Sequence, residues 1–320
     1  MHERKTGLLS ILITTYNIEK YIVECLDSVK KYCKWIDYEI CIVDDVSKDN
    51  TVDVVKKRIN DNPKIKVNFK QNDKNVGPWA TNQHAYLLSK WEFITFIDGD
   101  DFFIKWLHNK IEILKKNKNI KVVYGNAYIY KNNILTTEEK QPYLEKLYWN
   151  SVEETLKKIS INVPQLIITW TVIRWSFMDK IGWFDEKCLS NDYLLNMKIF
   201  KTIKNIKEVA FDKIPVFGYR VHWWNISYNK ERMRKLITEV INNYVPEQYK
   251  RQAYCNLHYS FANQYAMAYE TKKAFYHLWK AINIKFSIKN LIIFIALLIL
   301  PYKFIKRIWK FIPSRIKNTN

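Results

Sequence analysis

The stretch FITFIDGDDFF, residues 93–103, sets an apolar, β-favouring run directly against three acids and one glycine. Such a run followed by turn-forming residues is typical of a buried strand, ending here at Asp98. Asp98 and Asp100 are two residues apart, so in an extended chain their carboxylates point to the same side, roughly 7 Å apart. Gly99 between them leaves room for a ligand to approach the backbone. The stretch therefore predicts a strand that carries carboxylates to the edge of a sheet.

Strand and helix signals alternate through the first 130 residues. Short apolar, β-branched runs are separated by segments with apolar residues at helical spacing. The runs cover 8–15, 38–45, 64–70, 91–101 and 120–130. This alternation predicts a mostly parallel sheet with helices on both faces, and ligands of such sheets bind beyond the carboxyl ends of the strands. Polar residues follow three of these ends, namely Thr14 to Asn17, Asp44 with Asp45, and Asp98 with Asp100 and Asp101.

Acids gathered at one sheet edge repel one another, so their grouping favours a cation or hydrogen-bond donors among them. Oxygen ligands of this kind suit Mg²⁺ or Mn²⁺, with substrate phosphates completing the shell. The competing interpretation is that D-G-D-D is a polar turn ending a strand. These four residues alone leave the two interpretations open.

The formal net charge of +20 predicts an acidic partner, which could be nucleic acid, an anionic membrane or a phosphorylated substrate. Residues 286–320 contain no acid, and their ten-residue apolar run at 291–300 is too short to cross a bilayer, which takes about 20 residues. Beyond it, apolar and basic residues fall on opposite helical sides. Residues 288–312 are therefore expected to lie on an anionic membrane surface. The alternatives are a buried C-terminal helix or a short re-entrant segment.

Five stretches occur in an order and at a spacing that resemble family 2 glycosyltransferases of the GT-A fold. They are SILITTYNIEKYIVECLDSV (10–29), YEICIVDDVSKDNT (38–51), KNVGPWATNQHAY (74–86), FITFIDGDD (93–101) and KIGWFDEKCLSNDYLL (180–195). The resemblance covers about residues 8–225. It implies an α/β catalytic domain with a Rossmann-like, mostly parallel sheet, and a C-terminal helical extension.

This resemblance also sets the expected domain organisation. Residues 1–230 form the catalytic domain, with a nucleotide-sugar half at about 1–130 and an acceptor half at about 131–230. Apolar residues at helical spacing predict a helical hairpin over 231–285. The basic, membrane-associating tail covers 286–320.

The resemblance assigns a donor site. Thr14 and Tyr16 match family positions beside the nucleotide base, and Asp45 matches the residue that hydrogen-bonds the base. Asp98 looks like the acid that meets the ribose. Arg220, in the stretch YRVHWWNIS, matches an Arg-x-His element near the diphosphate. These five residues are the predicted nucleotide-sugar ligands, with a UDP-sugar as the expected donor.

The resemblance likewise implies a metal and a base. Asp100 and His222 are the predicted ligands of Mn²⁺ or Mg²⁺, and Asp192 of SNDYLL is the predicted general base. A leaving nucleoside diphosphate requires neutralisation by a metal and cations, while the acceptor hydroxyl needs a carboxylate to take its proton. Direct displacement inverts the anomeric centre. Competing structural roles are a helix cap for Asp192 and an interior hydrogen-bonded histidine for His222.

The sequence departs from the family pattern at four positions. Val46 stands where glycine is usual, Asn82 and Gln83 replace Arg-Asn, and Asn191 replaces a Glu before the expected base. The predicted metal ligands and base are unaffected, so the departures bear on donor choice.

Two other function classes share part of the pattern. A nucleotidyltransferase would have the sheet and the acids, but it would carry a Gly-rich basic phosphate loop, which ITTYNIEKY (13–21) does not contain. A nucleic-acid-binding protein would explain the charge but not acids at three strand ends. We therefore expect a peripheral enzyme at the cytoplasmic face of a bacterial inner membrane. It would transfer sugar to a lipid-linked acceptor in lipopolysaccharide, lipooligosaccharide or capsule synthesis and would not bind nucleic acid.

Overall fold

The structure is a computed structural model that describes residues 5–132, 134–139, 151–162, 167–182, 191–222, 229–268 and 270–286. The predicted membrane segment 288–312 lies outside the described residues. The chain divides into two units. One comprises residues 1–152 and 166–225, and the other comprises residues 153–165 and 226–320.

The secondary structure alternates as the sequence predicts. The strands are β1 (Lys5–Thr15), β2 (Tyr38–Asp44), β3 (Lys66–Gln71), β4 (Trp91–Asp98), β5 (Phe102–Phe103), β6 (Val122–Tyr124), β7 (Ala127–Lys131), β8 (Ile134–Glu139), β9 (Val172–Arg174), β10 (Val209–Phe211) and β11 (Phe217–Arg220). The helices are α1 (Ile22–Tyr32), α2 (Thr51–Asn60), α3 (Pro78–Leu88), α4 (His108–Lys116), α5 (Val152–Ile161), α6 (Trp175–Ile181), α7 (Asn191–Thr202), α8 (Lys230–Tyr244), α9 (Glu247–Met267) and α10 (Thr271–Ile284).

A seven-stranded sheet forms the centre of the first unit, in the order β10-β6-β9-β4-β1-β2-β3. Every pairing is parallel except those of β9, which runs antiparallel to both β4 and β6. Its central strands are apolar on both faces and buried, because helices cover both sides of a sheet of this kind. The prediction of a mostly parallel α/β sheet is confirmed.

Strand register brings the polar strand ends together. Thr15 pairs with Asp44 across β1 and β2, and Thr14 pairs with Asp98 across β1 and β4. The carboxyl ends of three adjacent strands therefore meet at one edge. The acids that follow β2 and β4 lie at this edge, as predicted from the alternation of strands and helices.

A second, four-stranded sheet has the order β5-β11-β7-β8. In it, Gly218 of β11 pairs with Phe102 of β5, directly after the D-G-D-D turn. A Cβ at Gly218 would lie 2.5 Å from the Phe102 ring, so the close strand contact requires glycine at that position. This pairing brings the end of β11 to the acidic turn.

The second unit is helical, which confirms the C-terminal helical region. Three helices, α8, α9 and α10, cover the range in which a hairpin was expected. Pro246 separates α8 from α9, since it lacks the N–H that a continuous helix would use. No helix in the described part of the chain is long and apolar enough to span a bilayer.

Candidate active site

Asp98 ends β4 at the sheet edge and is half-buried. Burial, followed by the charges of Asp100 and Asp192, raises the pKa of Asp98 to about 8. Three acids from two distant segments are thus close enough to repel one another. A site of this kind is stabilised by a bound cation.

Gly99 is required by the packing behind these acids. A Cβ there would lie 2.4 Å from Ile18 Cδ1 and 3.0 Å from the carbonyl oxygen of Thr14. The Gly99 N–H donates to that same carbonyl at 3.2 Å. The turn therefore sits directly against the end of β1, and the two predicted donor-binding segments share one surface.

Asp100 and His222 form a pair. Nε2 of His222 lies 2.7 Å from Oδ2 of Asp100, and the imidazole stacks on the Tyr21 ring with centroids 5.5 Å apart. A carboxylate oxygen and an imidazole nitrogen are both suitable ligands for Mn²⁺. Within the described ranges, no group of three or more His, Cys, Asp and Glu side chains could hold a metal. The two predicted metal ligands therefore lie together, and their binding of a metal stays a prediction.

Arg220 lies behind the turn and is only 6% exposed. Its Nε donates to the carbonyl oxygen of Asp100 at 2.8 Å, and its backbone N–H donates to Oδ1 of Asp101 at 2.8 Å. The guanidinium also pairs with Glu24. These contacts place Arg220 as a support for the acidic turn, and its predicted contact with the nucleotide sugar stays a prediction.

Aromatic rings enclose the Arg220 guanidinium. Its carbon lies 4.5 Å from the ring centroid of Tyr130, 4.7 Å from that of Tyr21 and 5.2 Å from that of Phe102. The planar guanidinium of arginine suits contacts with several ring faces, whereas lysine carries a compact charge with no matching plane. Arg220 therefore joins β11, α1 and the turn through contacts that lysine does not reproduce.

We expect Arg220→Lys to lower the free energy of unfolding by about 2 kcal/mol, because it loses the ring contacts and part of the hydrogen bonding. Urea unfolding would measure the loss. Arg58→Lys is the matched control, since Arg58 pairs with Asp27 near the surface and such pairs contribute about 0–1 kcal/mol. Equal losses in the two variants would contradict the supporting role of Arg220.

Asp45 is buried and fully engaged with the loop before α3. Its Oδ1 accepts from Nδ2 of Asn72 and from the N–H of Val76, both at 2.9 Å, and its Oδ2 accepts from the N–H of Gly77 at 2.8 Å. In this arrangement the carboxylate shapes the loop at the predicted base-binding position. Its hydrogen bond to a base stays a prediction.

Thr14 and Tyr16 occupy the end of β1 as expected. Thr14 is half-buried, whereas Tyr16 is 46% exposed. An exposed aromatic ring beside a strand end is available to stack on a planar ligand. Their placement agrees with a base-binding role, which stays a prediction.

Val46 adopts a positive φ of 64°. This left-handed conformation is unfavourable for a β-branched residue, and it explains why glycine is the usual residue of the resembling sequences at this position. The strain lies directly beside Asp45. Backbone strain of this type often accompanies functional loops.

We expect Val46→Gly to raise the free energy of unfolding by about 0.5–1 kcal/mol. Relief of the left-handed conformation gains about 1–2 kcal/mol, and the added flexibility of the unfolded chain offsets part of it. Val46→Asn should recover some of the gain because Asn tolerates this conformation. Chemical denaturation would test the order Gly, Asn, Val, and a Gly variant less stable than the parent would refute it.

Asp192 lies in the first turn of α7 and is half-buried. Its Oδ1 accepts from the N–H of Ile168 at 2.9 Å, a residue of a different segment. Burial raises the pKa of Asp192 to about 6, and the Ile168 hydrogen bond opposes the rise. A carboxylate with this pKa is ionised at neutral pH and remains a competent proton acceptor.

The backbone of Asp192 is held by a buried polar chain. Nδ2 of Asn196 donates to the carbonyl oxygen of Asp192 at 2.6 Å, and the hydroxyl of Tyr124 donates to Oδ1 of Asn196 at 2.7 Å. Because Tyr124 belongs to β6, the start of α7 is tied to the central sheet. This fixes the position of the backbone that carries the Asp192 carboxylate.

Residues 10–182, more than half of the chain, match the sequence model of glycosyl transferase family 2. The chain belongs to this family. It is 26% identical over 318 residues to the Campylobacter jejuni GalNAc(5)-diNAcBac-PP-undecaprenol beta-1,3-glucosyltransferase, covering 97% of this chain and 99% of that one. It is 28% identical over 253 residues to the Escherichia coli UDP-Glc:alpha-D-GlcNAc-diphosphoundecaprenol beta-1,3-glucosyltransferase WfgD, covering 77% of this chain and 90% of that one.

A solved structure supports the fold assignment. The Pyrobaculum calidifontis mannosyltransferase PcManGT, determined with GDP-Man and Mn²⁺, matches with a TM-score of 0.60 and 15% sequence identity, over 97% of this chain and 84% of that one. The protein is therefore a family 2 glycosyltransferase with the GT-A fold, and the expectation of an enzyme is confirmed.

Several supporting residues of this glycosyltransferase escape sequence reasoning. Asn72 orders the base-side loop, Tyr21 stacks on His222, and Asn196 holds the backbone of Asp192. The contacts of Asn72 and Tyr21 join segments far apart in the chain. The contact of Asn196 is local, and it had a sequence signal because Asn196 lies one helical turn after Asp192.

Proposed function

We propose that this family 2 enzyme is a metal-dependent, inverting glycosyltransferase that moves a sugar from a UDP-sugar to a hydroxyl of a lipid-linked glycan. The observation that supports this most directly is that Asp192, from a distant segment, lies close enough to Asp98 for its charge to add to the effects of burial and Asp100 on the pKa of Asp98. One edge thus carries the predicted metal ligands, Asp100 and His222, and a separate carboxylate of raised pKa. Donor activation and acceptor activation need such separate groups.

The donor would lie across the carboxyl ends of β1, β2 and β4. Thr14, Tyr16 and Asp45 would surround the base, and Asp98 would meet the ribose. Asp100 and His222 would hold Mn²⁺ or Mg²⁺, and the cation, when bound, would neutralise charge on the departing diphosphate. Mn²⁺ in PcManGT is consistent with a divalent cation here.

Asp192 would act on the acceptor. Its carboxylate would take the proton from the acceptor hydroxyl as the hydroxyl oxygen attacks the anomeric carbon, and the bond from that carbon to the diphosphate would break on the opposite side. The Ile168 N–H and the Asn196 chain would keep Asp192 aimed at that hydroxyl. This displacement needs no covalent intermediate.

The names of two relatives support the proposed acceptor class. Both the Campylobacter and the Escherichia enzymes carry undecaprenol-linked acceptors in their names, and the latter also names UDP-Glc as donor. A bacterial enzyme of this type, peripheral to the cytoplasmic face of the inner membrane, suits these substrates. We propose that residues 288–312 contact the anionic lipid surface there.

A donor screen tests the proposal. Thermal melting of the full chain with UDP-sugars and Mn²⁺ should reveal a selected donor, since a ligand that binds the folded state raises its apparent stability. UDP release should then require an undecaprenyl-diphosphate glycan. Pyrophosphate release from UTP and a sugar phosphate would instead identify a nucleotidyltransferase.

A further inference from the structure

The outer face of α10 has an unusual composition. The face of α10 buried within the helical unit carries Ala274, His277, Leu278 and Ala281, which include two small residues. Its exposed aromatic residues are Tyr276 and Trp279, which are 52% and 46% exposed. Because burial of aromatic rings is strongly favourable, a soluble helix normally keeps such residues on its packed side. Two large rings therefore remain exposed on the outer face, and a contiguous exposed apolar patch is typical of an interaction surface.

Lysines accompany the aromatic residues. Lys280 places its Nζ 5.6 Å from the ring centroid of Tyr276 and 5.4 Å from that of Trp279. The helix also carries Lys272 and Lys273 and contains no acid. The acid just before it, Glu270, pairs with Lys273 and Lys230. This face is therefore both aromatic and positively charged.

The same character continues beyond the helix. Phe286 is 65% exposed, and Lys285 precedes it. Arg251 of α9 donates from Nε to the carbonyl oxygen of Ile284 at 2.9 Å, which adds another cation at this end. The chain then enters residues 287–320, whose sequence contains basic residues and no acid. The exposed face thus leads directly into the segment proposed for the lipid surface.

We propose that the α10 face, defined as Lys272, Tyr276, Trp279, Lys280 and Phe286, docks on an anionic lipid bilayer. Trp and Tyr favour the boundary between headgroups and acyl chains, where their rings are dry and their polar groups hydrated. Lysine side chains extend toward anionic headgroups, each contributing favourably within a Debye length. Charge complementarity and continuity with the basic tail select lipid over a second copy of this equally basic chain.

The test uses the full chain and two vesicle types, phosphatidylcholine alone and phosphatidylcholine with about one quarter phosphatidylglycerol. Tyr276→Ser with Trp279→Ser should weaken sedimentation with the anionic vesicles about tenfold. Lys272→Gln with Lys280→Gln should weaken it and reduce its salt dependence. The controls are Leu87→Ser, which removes a 61% exposed apolar residue elsewhere, and Lys56→Gln with Lys57→Gln on α2.

A tail variant separates the two surfaces. The Gln variant at Lys303, Lys306, Arg307 and Lys310 should bind vesicles more weakly, and the serine variant of the α10 face should weaken binding by a similar factor in that background. If the serine variant binds like the parent in both backgrounds, the proposal fails. A parent dimer that dissociates on the same substitutions, with vesicle binding unchanged, would assign the face to self-association and equally overturn it.

Transfer activity gives an independent readout. The α10 face variants should retain the parent rate with a short-chain, water-soluble acceptor, because none of the substituted residues belongs to the catalytic edge. If the variants bind vesicles as expected but the parent transfers no sugar, the proposed reaction is wrong and the proposed docking surface still stands. A serine variant that loses soluble transfer and cooperative melting together would contradict the surface role.

Discussion

Asp192→Asn should reduce kcat by roughly 10²-fold or more, because an amide of the same size does not accept the proton of the acceptor hydroxyl. Donor binding should survive, since the predicted donor ligands lie on other segments. Steady-state transfer and UDP-sugar calorimetry would measure the two effects. Asp179→Asn, an exposed acid of α6, is the matched control. Parallel loss of donor affinity would place Asp192 in the nucleotide pocket or in the structural core instead.

The pH profile gives a second signature of Asp192. Its raised pKa of about 6 means that the carboxylate becomes protonated as the pH falls through that value. The protonated form does not accept a proton, so the transfer rate of the free enzyme, measured as kcat/KM, should fall about tenfold per pH unit below the midpoint. The Asn variant should lack this acidic limb in its residual activity. If kcat/KM of the Asn variant falls over the same pH range as that of the parent, the titrating group is not Asp192.

The fold could be anticipated where local sequence determines it. Buried strands such as β1 and β4 can be predicted from the sequence, because apolar, β-branched runs end in polar residues. β9 is three residues long and pairs antiparallel between β4 and β6, and nothing in its short sequence specifies these partners. Short strands take their place from tertiary pairing rather than from a repeating pattern.

The site could be anticipated as a set of residues but not as a geometry. The sequence spacing predicts that Asp98 and Asp100 lie close together, but the extended chain assumed for them ends at Asp98, and a turn follows in which the N–H of Asp101 donates to the carbonyl oxygen of Asp98 at 2.9 Å. The approach of His222 to Asp100 depends instead on the pairing of β11 with β5, which is a long-range contact. Similarly, the sequence marks Arg220 as a cation, whereas its enclosure by Tyr21 and Tyr130 depends on folding. The sequence therefore predicts which chemical groups form the site, but not which residues hold those groups in place.

Asp100→Asn should reduce transfer about 10³-fold, because a neutral amide is a weaker ligand and several kcal/mol of charge stabilisation depend on the cation. His222→Gln should give a smaller loss that extra Mn²⁺ partly restores, since the carboxylate remains. Activity over a Mn²⁺ titration would distinguish the variants. Asp73→Asn, an exposed acid just after β3, provides the matched control.

The same substitution at Asp100 should leave the fold intact or stabilise it. Burial, followed by the charge of Asp100, raises the pKa values of both Asp98 and Asp101, so the carboxylates of the turn repel one another. Removing one charge relieves this repulsion, so the midpoint of unfolding in EDTA should stay level or rise. Loss of activity with preserved stability identifies a functional acid, because a structural acid would lower both. Full transfer by the Asn variant, or by the parent in EDTA, would refute the metal assignment, since the diphosphate would then leave without the Asp100 carboxylate in the first case and without a cation in the second.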